Sequence, residues 1–291
     1  MNIGTSPSLH VSVDALDAFV RGVLAGIGAG EATVDAVARV MMHGSLFGVD
    51  SHGVRLLPHY VKVMVGGRIN IEPQLKYQSE LAAVAVLDAD DGHGALAAYS
   101  AMDKAVSLAS TYGVGCVSIR NSSHFGAAGA FVLEAARQGM IGFATCNSDA
   151  LVRLHDGAER FHGTNPLAWA VPGGARPWFF DMATSAIPFN RVLLYRSLGW
   201  TLPHGTASDG AGIDTKDAES AEMLAPLGED FGFKGAGLAG VAEIFSAVLS
   251  GMRLSTELMP MMGQDISTPR KLGAFVMALN PAAFGSRDEF D

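Results

Sequence analysis

The hexapeptide Asp50-Ser51-His52-Gly53-Val54-Arg55 stands between apolar segments and brings a carboxylate, a hydroxyl, an imidazole and a guanidinium together. An arginine can give a carboxylate two parallel hydrogen bonds, and the neighbouring hydroxyl and imidazole can orient whatever carries that carboxylate. A second cluster, Arg120-Asn121-Ser122-Ser123-His124-Phe125-Gly126, leads into the small residues Ala127 and Ala128. Histidine titrates nearest neutrality, so His124 can give a proton to a carbonyl oxygen or take one back. A third cluster is Asn147-Ser148-Asp149, and a fourth joins Gly163-Thr164-Asn165-Pro166 to Asp181-Met182-Ala183-Thr184-Ser185. Taken singly, each also reads as a turn or a helix cap. All lie at the ends of apolar runs, where a rigid scaffold presents functional groups.

Three other chemistries can be weighed on the same residues. Ser51, His52, His124 and Asp149 can be arranged on paper into a Ser-His-Asp set, but no G-x-S-x-G nucleophile turn occurs. The histidines include no H-x-x-x-H pair, so no metal is expected. Gly235-Ala236-Gly237-Leu238-Ala239-Gly240 matches G-x-G-x-x-G, yet a loop, 227–233, precedes it where a Rossmann turn requires a strand. Two readings of these glycines stay open: close packing of a helix, or a helix N-terminus that receives an anion with help from Lys234.

The elements that must position these clusters show in the periodicity. Ser12 precedes Leu16, Phe19, Val20, Val23, Leu24 and Ile27, whose three-and-four spacing predicts a helix that Gly28 and Gly30 end. Val34, Val37, Val40 and Met41 predict a second helix stopping near Gly44. From Leu81 the pattern becomes short apolar runs, predicting strands over 82–87, 114–119, 141–146, 168–171, 178–180 and 274–279. Helices are expected over 97–109, 127–137 and from Lys234 onward. The reading is an α/β fold with an N-terminal helical domain, 1–75, contributing one side of the site, and an α/β domain, 76–291, in which 200–225 is a polar surface excursion.

With 49% hydrophobic and 17% charged residues, the chain of 291 residues can bury a substantial core. Its 20 Lys and Arg against 29 Asp and Glu give a net charge of -9, which repels nucleic-acid phosphates, so no nucleic-acid partner is expected. Met1 to Val11 lack a basic segment followed by an apolar run, and no stretch reads as a membrane span, so a cytoplasmic protein is expected. Cys116 and Cys146 lie in apolar strands and are read as buried free thiols.

Taken together and in order, the stretches 50–55, 121–126, 146–149, 163–166, 180–185, 233–235 and Asn280-Pro281 resemble the malate/L-lactate dehydrogenase family. The resemblance implies a mostly antiparallel or mixed central sheet that is not of Rossmann type. It implies a hydride transfer between NAD or NADP and a small 2-oxo or 2-hydroxy acid, or a cyclic imino acid. It further implies a homodimer with the site near the subunit contact. Position by position, His124 matches the proton donor and acceptor. Ser51 and His52 line the substrate side, and Asp149 adjoins it. Arg55 matches the carboxylate clamp, while Thr164 and Asn165 shape the loop beside the substrate. Ser148, Asp181, Met182, Ala183 and Lys234 match cofactor contacts. Arg191 keeps a positive charge where many relatives carry a lysine. Such relatives continue well past Asn280-Pro281, whereas this chain stops at Asp291. A homologue that kept the fold and acts only as a binding protein is the alternative from another class.

Overall fold

In the computed structural model, which describes residues 10–78, 81–286 and 290, Ser12 is extended and its Oγ accepts the N–H of Ala15 at 3.2 Å. That cap starts α1 (Val13–Gly26), and α2 (Glu31–Leu46) follows, turning Val34, Val37, Val40 and Met41 inward as their spacing requires. A fully buried valine, leucine or methionine contributes about 1.5–3 kcal/mol, so this face fixes α2 against the rest of the molecule. Two 3-10 turns, Asp50–His52 and Val54–Leu56, connect α2 to α3 (Leu57–Val65). The expectation about Met1 to Val11 falls mostly on residues 1–9, outside the described residues.

The strands and helices that follow are β1 (Lys76–Gln78), β2 (Val84–Asp88), α4 (Gly94–Tyr112), β3 (Val114–Ser122), α5 (Gly129–Arg137), β4 (Ile141–Cys146), β5 (Val152–Arg153) and β6 (Arg160–His162). After them come β7 (Leu167–Val171), β8 (Trp178–Met182), α6 (Phe189–Leu198), β9 (Ala207–Ser208), β10 (Met223–Leu224), α7 (Phe233–Glu243) and β11 (Leu272–Leu279). Seven of the described strands form one sheet in the order β1-β2-β3-β11-β4-β7-β8. Only β2 and β3 run parallel; the other pairs are antiparallel, which makes this the mixed, mostly antiparallel sheet that the resemblance implied. α4 and α5 cover one face, and one apolar core joins them to α1–α3 through Val37, Met41, Tyr60, Met102, Ile119 and Phe131.

The 200–225 stretch is not the plain surface excursion expected of it. β9 and β10 lie within it and are buried, pairing in the order β6-β5-β10-β9 as a small second sheet, with Leu202, Ala218 and Ala221 in a core of their own. The glycines of 235–240 lie inside α7, preceded by a 3-10 turn rather than a strand. A Cβ on Gly235 would come within 2.3 Å of the Leu227 carbonyl, so close packing explains Gly235, whereas a Cβ on Gly237 would meet open space. α7 then widens into a π-helical turn, Ile244–Val248, where a Cβ on Gly273 of β11 would meet the Ser246 carbonyl at 1.9 Å. No described helix is long and apolar enough to cross a membrane.

Candidate active site

Strand ends and turns of this scaffold meet at one cleft of about 210 Å³. Val49, Ser51 and His52 come from the turn before α3, and His124 through Ala128 from the turn between β3 and α5. The ends of β4 and β8 supply Cys146, Ser148, Asp181 and Ala183, and the turn before β7 supplies Thr164 and Pro166. Seven of the residues singled out in the sequence therefore share one cavity: Ser51, His52, His124, Ser148, Thr164, Asp181 and Ala183. A larger hollow of about 500 Å³ lies on the sheet face turned away from α4, lined by Val84, Val86, Phe245 and Phe275 among others. Among the described residues that line it, Cys116 is the one titratable side chain.

The histidine wall is ring-rich, with His52 and His124 half-buried at the cleft and Tyr60 and His93 buried behind them. His52 and His124 stack with centroids 5.5 Å apart, and Ser51 Oγ lies 2.9 Å from His52 Nδ1. His124 Nδ1 is 2.7 Å from the hydroxyl of Tyr60 on α3, leaving Nε2 as the nitrogen available to the cleft. Burial holds the Tyr60 phenol far above its ordinary value, so its hydroxyl keeps its proton. That hydroxyl can donate to Nδ1 or accept from it, and so supports either tautomer of a neutral imidazole. Behind Tyr60 stands His93, edge-on at 4.4 Å, whose Nδ1 accepts the N–H of Ala95 and caps α4. Burial pushes His93 down to about 3. His124 is also held well below its ordinary value, first by burial and then by His52, His93, Arg270 and His59. The imidazole at the cleft is therefore uncharged at neutral pH.

The opposite wall is a set of hydrogen bonds from strand ends. Ser148 Oγ accepts the N–H of Thr164 at 3.1 Å, and a Cβ on Gly163 would strike that oxygen at 2.2 Å, so only glycine leaves the hydroxyl its place. Asp181 accepts the N–H of Gly129 at 2.7 Å, while crowding by the surrounding protein raises its carboxyl above the usual range.

The remaining candidates lie elsewhere. Arg55 is exposed, outside the cleft lining, and makes no ion pair among the described residues, so in this conformation it is not the clamp expected of it. Asn165 is fully buried with its amide spent inside the protein: Nδ2 donates to Glu243 and Ala239, and Oδ1 accepts from Ser148. It cannot also reach a substrate. Asp149 is paired with the buried Arg270 and accepts the N–H of Met261 at 3.2 Å, which also removes it from any Ser-His-Asp arrangement. Met182 is half-buried next to the lining residues Asp181 and Ala183. Arg191 is exposed on α6, and Lys234 is exposed on α7 with its ammonium 5.1 Å from the Phe231 ring centre; neither lines the cleft.

Three functional groups escaped the sequence reading. Tyr60 lies on α3 with no polar cluster around it in sequence to mark it. Arg270 sits in a loop rich in turn residues, and only folding reveals that it is 4% exposed and bears on His124. Glu243 interrupts the apolar face of α7, which was the available signal.

An uncharged histidine held by a tyrosine, in a cleft that also holds hydroxyls and a strand-end carboxylate, is an arrangement able to take and give back a proton. The chain matches the malate/L-lactate dehydrogenase family over residues 11–291 and belongs to that family. It is 37% identical over 290 residues to the malate dehydrogenase of Pyrococcus abyssi, covering 97% of this chain and 79% of that one. It is 33% identical over 283 residues to the NAD(+) ureidoglycolate dehydrogenase of Escherichia coli K12, covering 97% and 80%. Among solved structures, the malate dehydrogenase of Entamoeba histolytica superposes with a TM-score of 0.90 at 31% identity, covering 97% of this chain and 81% of that one. The protein is accordingly a dehydrogenase or reductase.

Proposed function

We propose that this enzyme interconverts a small 2-hydroxy acid and its 2-oxo acid with NAD or NADP, using His124 as the proton acceptor and donor. The observation that carries this reading is the His124–Tyr60 pair at the end of a cleft whose other wall has small apolar surfaces and two hydroxyls. Ala127, Ala128, Pro166, Ala183 and Pro188 give flat apolar walls suited to a planar ring, and Ser148 and Thr164 place polar groups at its edge. These residues fit the nicotinamide end of the cofactor, which when bound takes up or gives back the hydride.

The rest is work for the chain's own side chains. In the oxidation direction the uncharged His124, in the tautomer whose Nδ1 proton is donated to the Tyr60 hydroxyl, accepts the substrate's hydroxyl proton at Nε2. Arg270 lends its positive charge to the field at His124 from outside the cleft, where it is paired with Asp149, and in this conformation neither it nor Arg55 lines the cleft. The arriving carboxylate raises the affinity of His124 for its proton, so substrate binding and proton uptake reinforce each other. Phe125 and the apolar wall exclude bulk water. A homodimer suits the apolar side chains of Leu238, Val241, Ile244 and Val248, which α7 and its π turn leave exposed.

The test is a screen of 2-hydroxy and 2-oxo acids, with cyclic imino acids as a separate arm, against both cofactors by absorbance at 340 nm. Turnover on a hydroxy or oxo acid is expected; turnover confined to imino acids, or cofactor binding without turnover on any arm, would overturn the reading. With the active hydroxy acid, the acid limb of kcat/KM should lie well below pH 6.5, because a lowered His124 pKa keeps the base form present as pH falls. An acid limb at 6.5 or above would remove His124 as the base.

A further inference from the structure

Glu243 closes α7 directly behind the cleft, with its side chain buried. Its two oxygens are used symmetrically. Oε1 accepts the Ser255 N–H at 2.6 Å and the Asn147 amide at 3.5 Å; Oε2 accepts the Ser255 hydroxyl at 2.6 Å and the Asn165 amide at 2.8 Å. His162 Nδ1, 3.5 Å from Oε2, stands at ion-pair distance without making a hydrogen bond. Burial alone would raise this carboxyl, but the surrounding donors hold it below the usual range, so it is ionised.

An ionised carboxylate only accepts. Both asparagines must therefore turn their NH2 groups toward it and their carbonyls away. The Asn165 carbonyl then takes the Ser148 N–H at 3.3 Å, and the Asn147 carbonyl takes the Gly273 N–H at 3.3 Å. Asn165 is held at φ +31, a conformation that side-chain-bearing residues adopt only when their surroundings enforce it. Ser148 in turn orders Thr164, and both line the cleft.

We propose that Glu243 is a positioning residue for cofactor binding: by fixing the direction of the Asn165 amide it sets the place of Ser148 and Thr164 at the nicotinamide edge. The inference rests on the cofactor reading above, and its test separates the two. Glu243→Gln keeps the shape but replaces one acceptor with a donor, so one asparagine must reverse and oppose its partner N–H. Adding Asn165→Asp restores part of the pattern at unchanged net charge: a carboxylate at position 165 accepts both from the new amide at position 243 and from the Ser148 N–H, but gives up the donation to the Ala239 carbonyl.

Binding of reduced NAD and NADP is measured by calorimetry on wild type, Glu243→Gln and the double variant, with circular dichroism to follow folding. Glu243→Gln should weaken binding of the preferred cofactor by about tenfold, the scale of one hydrogen bond opposed, with a smaller change in KM for the acid. The double variant should bind more tightly than Glu243→Gln alone, short of wild type by the lost bond to the Ala239 carbonyl. Wild type binding neither cofactor would sink the functional reading and this inference with it. A wild type that binds, with Glu243→Gln within about twofold of it, overturns the inference alone, as does a folded double variant that fails to recover. Should both Glu243 variants fail to fold, Asn165→Gly decides. It accepts φ +31 and leaves Glu243 on Ser255 while removing the amide that links Glu243, the Ala239 carbonyl and Ser148, so binding weaker by about tenfold supports the proposal and unchanged binding refutes it.

Discussion

One wall of the cleft is a group of uncharged rings, His52, His124, Tyr60 and His93, in which burial, and then His52 and His93, lower the tendency of His124 to take a proton. The other is a lattice of serine, threonine and asparagine whose directions trace back to one buried carboxylate, Glu243. In the first wall position is set by packing and the variable quantity is charge. In the second the charge is fixed and the variable quantity is geometry. Damage to the two should therefore appear in different measurements: proton transfer on the ring side, placement and binding on the lattice side.

The largest effect expected is on stability at the seam between them. Arg270 and Asp149 form a buried pair, and Arg270→Met strands the carboxylate, which should cost about 3–5 kcal/mol in urea unfolding. A loss below about 1 kcal/mol would mean that the pair is solvated and does not join the walls. Next, His124→Ala should lower turnover by about a hundredfold or more while cofactor affinity holds. If affinity collapses with turnover, the two walls are not separable. Tyr60→Phe removes the partner of Nδ1 and should lower turnover by up to about tenfold, with KM for both substrates little changed. The smallest effect is assigned to Arg55→Ala, where an exposed and unpaired guanidinium outside the cleft should alter KM for the acid by less than about threefold. A much larger rise would show that Arg55 reaches the substrate through a movement of the turn before α3.

Most of the large sheet was legible because its strands are apolar runs bounded by glycine and aspartate; β4 has the predicted limits, and the other five predicted strands differ by only one to three residues at either end. The small sheet was not, since β5, β9 and β10 have two residues each and two residues carry no period. In the site, residues at strand ends could be found because turns stand out in sequence. Arg270 and Asp149 meet across 121 positions, and no local pattern encodes such a meeting. The Asn165 expectation put it against the substrate, whereas its buried amide faces inward to Glu243, a distinction that composition cannot make. Arg55 lies three residues beyond His52, on the next 3-10 turn, Val54–Leu56, which stands outside the cleft lining.

The position of β11 has a consequence for how the molecule is made. The last strand of the large sheet in chain order lies in its middle, with β3 on one side and β4 on the other. Until residues 272–279 emerge from the ribosome, the two halves of the sheet have no backbone hydrogen bonds to each other, and each presents an open edge able to recruit strands from other chains. Assembly of the sheet, and of the cleft at its strand ends, must therefore wait until every other strand has been made, a late and long-range step of the kind that makes folding slow.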